Sequence, residues 1–278
     1  MDARAALEQV EATADPEQRL IQAHHLVSEF ASFGSEAARI RREAAEALTA
    51  KGKSQVDIGK LIDLSRSRVG QIISHGPRPQ RAFLGSGKIT VAIGGKQEGQ
   101  KVNPSAVISA EALSAYKALD KLASSFGLEA EYELIPPPGI VRLNRPNLIV
   151  MTSPRLLPLV GQVLESDQSL AFESGAQGWY LRDNASGIEY RSPSDSGEAA
   201  DYAYIGRLPR PDGQGTFLYL AGIHAMGTRG AAQFLVDNID DLYDEVKKKR
   251  FSTLIRCDYH PDTREITATQ QVTPIYTV

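Results

Sequence analysis

The chain has little of what builds covalent or metal frameworks. With one cysteine, Cys257, and five scattered histidines in 278 residues, no internal disulfide can form and no metal site is predicted. Cys257 ends the alternating run Thr253–Leu254–Ile255–Arg256–Cys257, which predicts a core position on a strand. Long apolar runs are absent as well, none approaching the roughly 20 residues of a membrane-spanning helix. The start, MDARAALEQVEATAD, is polar and helical, without the apolar stretch of a secretory signal. These absences predict a cytoplasmic protein with no membrane partner. Charge of one sign is scarce too: a formal net charge of −3 excludes a chain that coats nucleic acid by bulk positive charge.

What is present is local. From Arg39 to Arg78 nine basic residues (Arg39, Arg41, Arg42, Lys51, Lys53, Lys60, Arg66, Arg68, Arg78) stand against Glu43, Glu46, Asp57 and Asp63, a balance of +5 in an acidic chain. The same region is helical in texture. Helices are predicted from Ala3 to Ala14, from Pro16 to Phe33, and, after a break at Gly34–Ser35, from Ser35 to about Ala50. Ser54 then caps another, with Asp57 adding favourable charge at its N-terminus.

The composition changes at His75–Gly76–Pro77–Arg78–Pro79, where glycine and prolines stop a helix. Residues 1–75 are therefore read as an all-α domain, 76–87 as a linker, and 88–278 as an α/β domain. In the last, apolar runs at Lys88–Ile93, Asn147–Thr152, Thr216–Ala221 and Phe251–Tyr259 predict strands. Helices are expected over Ser109–Phe126, over Arg155–Leu164 behind Pro154, and from Gly230 or Ala231 to about Arg250. Trp179–Arg182 and Ile188–Arg191 read as a hairpin. Strand, glycine turn and helix recur, which predicts a Rossmann-like, partly parallel mixed sheet.

Within the helical domain, SQVDIGKLIDLSRSRVGQII at Ser54–Ile73 has the pattern of two short helices and a tight turn. Val56, Ile58, Leu61 and Ile62 form the expected inner face of the first helix. Gly59 is the small residue where the helices approach, Leu64 anchors the turn, and Val69 with Ile72 closes the core. Ser65 caps the second helix, leaving Arg66, Ser67, Arg68 and Gln71 outward. Arginine can grip guanine and glutamine adenine with two hydrogen bonds each, while Lys53, Ser54, Lys60 and Ser74 suit phosphate contacts.

The run from Arg41 to Ile73 resembles the helix-turn-helix of sigma-factor region 4 and related bacterial, especially actinobacterial, regulators. The family pattern is met at Gly52, Ile58, Gly59, Ile62, Leu64, Ser65, Arg66, Val69, Gln71 and Ile72. It departs at Lys53–Ser54 and at Asp63, where a turn glycine is usual and where aspartate tolerates left-handed backbone. The resemblance covers about thirty-five residues and implies double-stranded DNA as partner, with a homodimer expected on a two-fold site.

In the α/β domain three strand-following loops are candidate ligand contacts: Gly94, Gly95 and Lys96; Ser153 and Arg155; and Gly222, His224, Gly227, Thr228 and Arg229. The third, glycine-rich and leading into a helix, has the makings of a phosphate cradle. Tyr204 and Arg207 are added as a ring and a cation able to hold a base and its phosphate, and they read equally well as ordinary strand residues. The expected effector is a small molecule, a nucleotide or phosphorylated metabolite. Three readings follow: a ligand-sensing transcriptional regulator, a Rossmann-like nucleotide or N-glycoside hydrolase carrying a DNA-binding domain, and a sigma-like scaffold contacting RNA polymerase. The hydrolase would need an acid from among Glu98, Glu173, Asp195 and Asp201, which sequence spacing leaves unplaced.

Overall fold

The computed structural model describes residues 2–99, 105–137 and 139–277; Pro138, last of the Pro136–Pro138 run, lies outside them. The chain divides into two compact units, Met1–Arg81 and Ala82–Val278.

The first unit is helical: α1 (Ala3–Glu11), α2 (Pro16–Ala50), α3 (Gln55–Leu61) and α4 (Arg66–His75). Asp2 and Asp15 cap α1 and α2 by accepting amides of their first turns, and Pro16 opens α2. The break expected at Gly34–Ser35 does not occur, and α2 runs through it. An internal glycine costs about 1 kcal/mol against alanine, too little to end a helix braced just beyond by Arg39, which pairs with Glu36 at 2.8 Å and Glu43 at 2.6 Å. Ser35 caps nothing; its hydroxyl accepts from Arg81 at 3.3 Å.

Ala45 of α2, Ile58 of α3 and Val69 of α4 form the buried centre of this unit, with Leu48, Leu64 and Ile73 packed around it. Ser54 and Asp57 make a reciprocal capping box on α3. Asp63 takes the left-handed backbone, φ 54°, and the Leu64 amide donates to the Gly59 carbonyl at 2.9 Å, closing the turn. Arg42 ties α4 to α2: Nε meets Glu46 and Nη1 donates to the Gly76 carbonyl at 2.6 Å. The expected inner face of α3 is only partly inner. Ile58 and Gly59 are buried, but Val56, Leu61 and Ile62 are 46, 66 and 43% exposed, because a helix of about two turns presents only one narrow stripe to its neighbours.

The unit boundary falls in α5 (Arg81–Leu84). Ala82, Phe83 and Leu84 are buried in the second unit's core, so residues read as linker are packed structure. There follow β1 (Ile89–Gly94), β2 (Lys96–Gln97), β3 (Ala106–Val107), α6 (Ala110–Ser125), β4 (Ala130–Ile135), β5 (Leu148–Met151) and α7 (Pro158–Leu164). Next come β6 (Leu170–Gly175), β7 (Gly178–Asp183), β8 (Glu189–Arg191), a 3-10 turn at Pro193–Ser196, β9 (Ala200–Pro209) and β10 (Thr216–Gly222). The chain ends with α8 (Ala225–Val246), β11 (Phe251–Tyr259), β12 (Ile266–Gln271) and β13 (Tyr276–Thr277).

The main sheet is mixed, ordered β12–β11–β9–β10–β5–β1–β4, with β13 also paired to β11. β4, β1, β5 and β10 are mutually parallel, and β9, β11 and β12 join antiparallel. Alternation sorts the side chains. Val91, Ile93, Ile149, Met151, Leu218 and Leu220 pack with α5, α6 and α8 on one face; Ala92, Leu148, Val150, Tyr219 and Ala221 pack with α7 and the β6–β7–β8 sheet on the other. Cys257 is fully buried, and burial pushes its thiol up to about 12, which keeps it neutral and unreactive near pH 7.

Three element boundaries differ from expectation. The helix behind Pro154 begins only at Pro158, its first-turn proline, after turns across 154–156. α8 begins at Ala225 and ends at Val246, so Gly227 to Gly230 are helix and not loop. β6 is a strand that the sequence pattern does not single out, and the ten-residue β9 fits the strand alternative for Tyr204 and Arg207.

Candidate functional site

In the helical unit, Ser65 accepts the Arg68 amide at 3.2 Å and sets the start of α4. Arg66, Ser67, Arg68 and Gln71 are all exposed on α4, and Arg68 Nη1 donates to Gln71 Oε1 at 2.8 Å, so these two present as one polar pair. Arg41 of α2 joins Arg68, Gln71 and His75 around a groove of about 410 Å³. Lys53, Ser54 and Lys60 are exposed around α3. The Ser54 hydroxyl, however, is committed to Asp57 at 2.6 Å, and this hydrogen bond holds the Asp57 carboxyl below its usual range. The basic run also loses two members. Arg39 is 4% exposed between its two glutamates, and Arg42 is engaged with Glu46 and Gly76. The other seven basic residues of that run are exposed.

In the second unit the sheet topology itself marks a place. The chain leaves β1 for β4 on one side and returns to β5 on the other, and crevices open at the carboxyl ends of strands where the order reverses in this way. A cleft of about 50 Å³ lies there. Gly94 after β1, Lys96, Ser153 and Arg155 after β5, and Gly222, His224 and Thr228 after β10 line it. Three loops far apart in the chain therefore converge. Thr152, not among the expected contacts, completes the wall; it is 4% exposed and its Oγ1 has no partner among the described residues. A side chain at Gly94 would overlap that hydroxyl, so the glycine lets β1 and β5 end side by side. The ionisable residues on the wall are Lys96, Arg155 and His224; none is acidic.

Five expected contacts lie elsewhere. Gly95 extends the β1–β4 pairing through its amide to the Ile135 carbonyl at 2.9 Å. Gly227 is needed for packing, since a Cβ there would stand 2.6 Å from both the Asp201 carboxylate and the Tyr202 carbonyl. Arg229 donates to the Arg264 carbonyl at 2.6 Å. Tyr204 is fully buried and donates to Asp167 at 2.8 Å, with burial raising its phenol far above the usual range. Arg207 is 6% exposed, donates to the carbonyls of Phe83, Lys247 and Lys249, and is lowered to about 10 by burial. Tyr204 and Arg207 are thus buried and committed to partners within the protein, away from the cleft.

The phosphate cradle expected at the start of α8 is also occupied by the protein itself. Asp201, fully buried on β9, accepts the amides of His224 at 2.9 Å and Gly227 at 2.8 Å, capping the helix from a neighbouring strand and supplying the negative charge its N-terminus favours. Burial nonetheless raises the Asp201 carboxyl above its ordinary value, outweighing hydrogen bonds from Ser192, His224 and Gly227. Above it, His224 Nε2 lies 2.7 Å from Asp195 Oδ1. Asp195 sits on the 3-10 turn, 29 residues from His224, a pairing no local spacing could announce. Glu173 instead holds Tyr180 and Arg182 within the β6–β7 hairpin, and Glu98 follows β2.

A second cavity, of about 530 Å³, adjoins the cleft, with Arg155 bordering both. Its wall includes Pro154, Pro158, Phe172 and Trp179. No protein-family model, characterised protein or solved structure matches the chain significantly.

Proposed function

We propose that α3 and α4 form a helix-turn-helix of the sigma-factor region 4 type, and that the protein is a DNA-binding transcriptional regulator. Its second unit, Rossmann-like in this reading, senses a nucleotide or phosphorylated metabolite. The observation that carries the proposal is α4 itself: a capped helix whose buried side is Val69 and Ile72 and whose exposed side is Arg66, Ser67, Arg68 and Gln71. That is the chemistry a major-groove helix needs, with Arg41, Lys53 and Lys60 available for the flanking phosphates. A homodimer on a two-fold operator belongs to the same reading.

The test is an electrophoretic shift on genomic fragments with Arg66→Ala plus Arg68→Ala. Each two-pronged base contact contributes about 1–3 kcal/mol, so the pair should weaken specific binding by at least about 30-fold. Circular dichroism should be unchanged, since both side chains are exposed. Wild-type affinity in the double variant would remove α4 as the reading helix.

A second reading is favoured by one observation, the His224–Asp195 pair on the edge of the cleft. A histidine oriented by a carboxylate is the arrangement of a general base, which a nucleotide or N-glycoside hydrolase would use on water. Product release from nucleoside phosphates or N-ribosides, lost in His224→Ala, would establish that reading; turnover that persists in the variant would exclude His224 as the base.

A further inference from the structure

The cleft and its neighbouring cavity are too different in character to serve the same part of a ligand. About 50 Å³ is room for one small group, and the walls carry Lys96 and Arg155, for which no partner is found among the described residues, beside the unpartnered Thr152 hydroxyl and Ser153. The cavity of about 530 Å³ falls in the range of pockets that hold whole small molecules. Its wall carries a ring pair, Phe172 and Trp179, edge to face at 5.7 Å. Three carboxylates also border it. Asp167 is taken by the Tyr204 hydroxyl and two amides, and Glu173 by Tyr180 and Arg182, which leaves Glu165 as the wall carboxylate with no partner found among the described residues. Arg155 stands where the two spaces meet.

Resting on the reading of the cleft as a ligand site, we propose that the two spaces form one composite site for a nucleoside monophosphate with an amino-bearing base. The phosphate enters the cleft between Arg155, Lys96 and the Thr152 and Ser153 hydroxyls, where charge-assisted hydrogen bonds are strongest. The base lies against Trp179 and Phe172, and its exocyclic amino group donates to Glu165. Neither half alone explains the other: a phosphate has no use for the ring pair, and an uncharged aromatic molecule has no use for Lys96 and Arg155.

Trp179 is the only tryptophan in the chain, so tryptophan emission reports on this cavity and on nothing else. The full-length protein is titrated with AMP, UMP, adenosine and inorganic phosphate, following Trp179 emission and, in parallel, the thermal midpoint. AMP should change the emission saturably, more tightly than UMP. Arg155→Ala, an exposed site, should weaken AMP by about tenfold or more, the scale of one charge-assisted hydrogen bond, and Glu165→Ala should abolish the preference over UMP. Phosphate should raise the midpoint without altering emission. If phosphate stabilises but neither nucleotide moves Trp179, the composite site is overturned while the cleft survives. Adenosine binding as well as AMP would overturn the phosphate half, and AMP binding Arg155→Ala as well as wild type would overturn the shared wall. If no compound shifts either signal, the cleft is not a phosphate site and the reading beneath the proposal fails with it.

Discussion

Asp201→Ala is expected to destabilise the second unit by about 2–6 kcal/mol, seen as a lower urea or thermal midpoint for that unit. The carboxylate is fully buried and accepts the His224 and Gly227 amides, and each buried donor left without an acceptor costs about 1–3 kcal/mol. His224, the N-cap residue of α8, has no side-chain cap bond of its own, so nothing local replaces what is lost. Asp201→Asn separates acceptor from charge: it retains a carbonyl oxygen for the amides and should cost less than the alanine variant. It should also change the pH dependence. Burial raises the folded-state value of Asp201 above the roughly 3.9 of an unfolded aspartate. Between those two values the folded chain binds more protons than the unfolded one, so stability falls as pH rises. The contribution is thus fully present below the unfolded value and lost as pH climbs through the folded one. The asparagine variant has no such step, and the difference between its stability profile and that of the wild type should open across that acid window. Identical profiles would mean that Asp201 is not the buried carboxylate described, and an unchanged midpoint in the alanine variant would mean that it does not hold α8.

Much of this site lay within reach of the sequence, and the reasons for the rest are physical. β1, β5 and β10 announced themselves as apolar runs because strands covered on both faces need apolar side chains on both. The residues at their ends, Gly94, Ser153 and Gly222, therefore found the cleft. α4 was equally legible, its cap and its spacing of Val69 and Ile72 agreeing. β9 was legible only in part. Its Tyr204 and Arg207 read equally as binding residues and as strand residues, because sequence gives no sign that Asp167, 37 positions away, receives the phenol, or that three backbone carbonyls receive the guanidinium. Glycine misled at α8 for a related reason. Gly227 and Gly230 suggest a loop, yet each is a helical residue pressed against a strand, Gly227 on Asp201 and Tyr202 and Gly230 on Cys257. Tight packing and a flexible turn select the same residue. The His224–Asp195 pair depended on tertiary placement alone.

The same residue type allows a test of the helical unit in which one substitution should act in opposite directions at two sites. Gly59→Ala is expected to unfold the first unit or nearly so, and Gly34→Ala to stabilise it slightly. At Gly59 the added Cβ would overlap the Leu64 carbonyl oxygen and sit 3.6 Å from Val69 Cγ2. Leu64 cannot retreat easily, since its amide is bonded back to the Gly59 carbonyl at 2.9 Å and its side chain packs on the buried centre of the unit. Overpacking against fixed neighbours costs about 1–3 kcal/mol and sometimes more, and here the neighbour is backbone; the roughly 1 kcal/mol that alanine gains in a helix offsets only part. A centre of three buried side chains, Ala45, Ile58 and Val69, leaves little reserve in a unit this small, where a single core supplies about 3–5 kcal/mol at most. At Gly34 nothing lies within 4 Å of the added Cβ, so only the propensity gain of about 1 kcal/mol remains. Calorimetry should show the first unit's transition lost in Gly59→Ala and raised in Gly34→Ala, with the second unit, which has its own core, unmoved in both. The DNA binding proposed for this unit should follow the first transition. A Gly59→Ala protein that melts and binds DNA like the wild type would mean that α3 and the turn into α4 do not meet as described, and the reading of α4 as a presented recognition helix would lose its foundation.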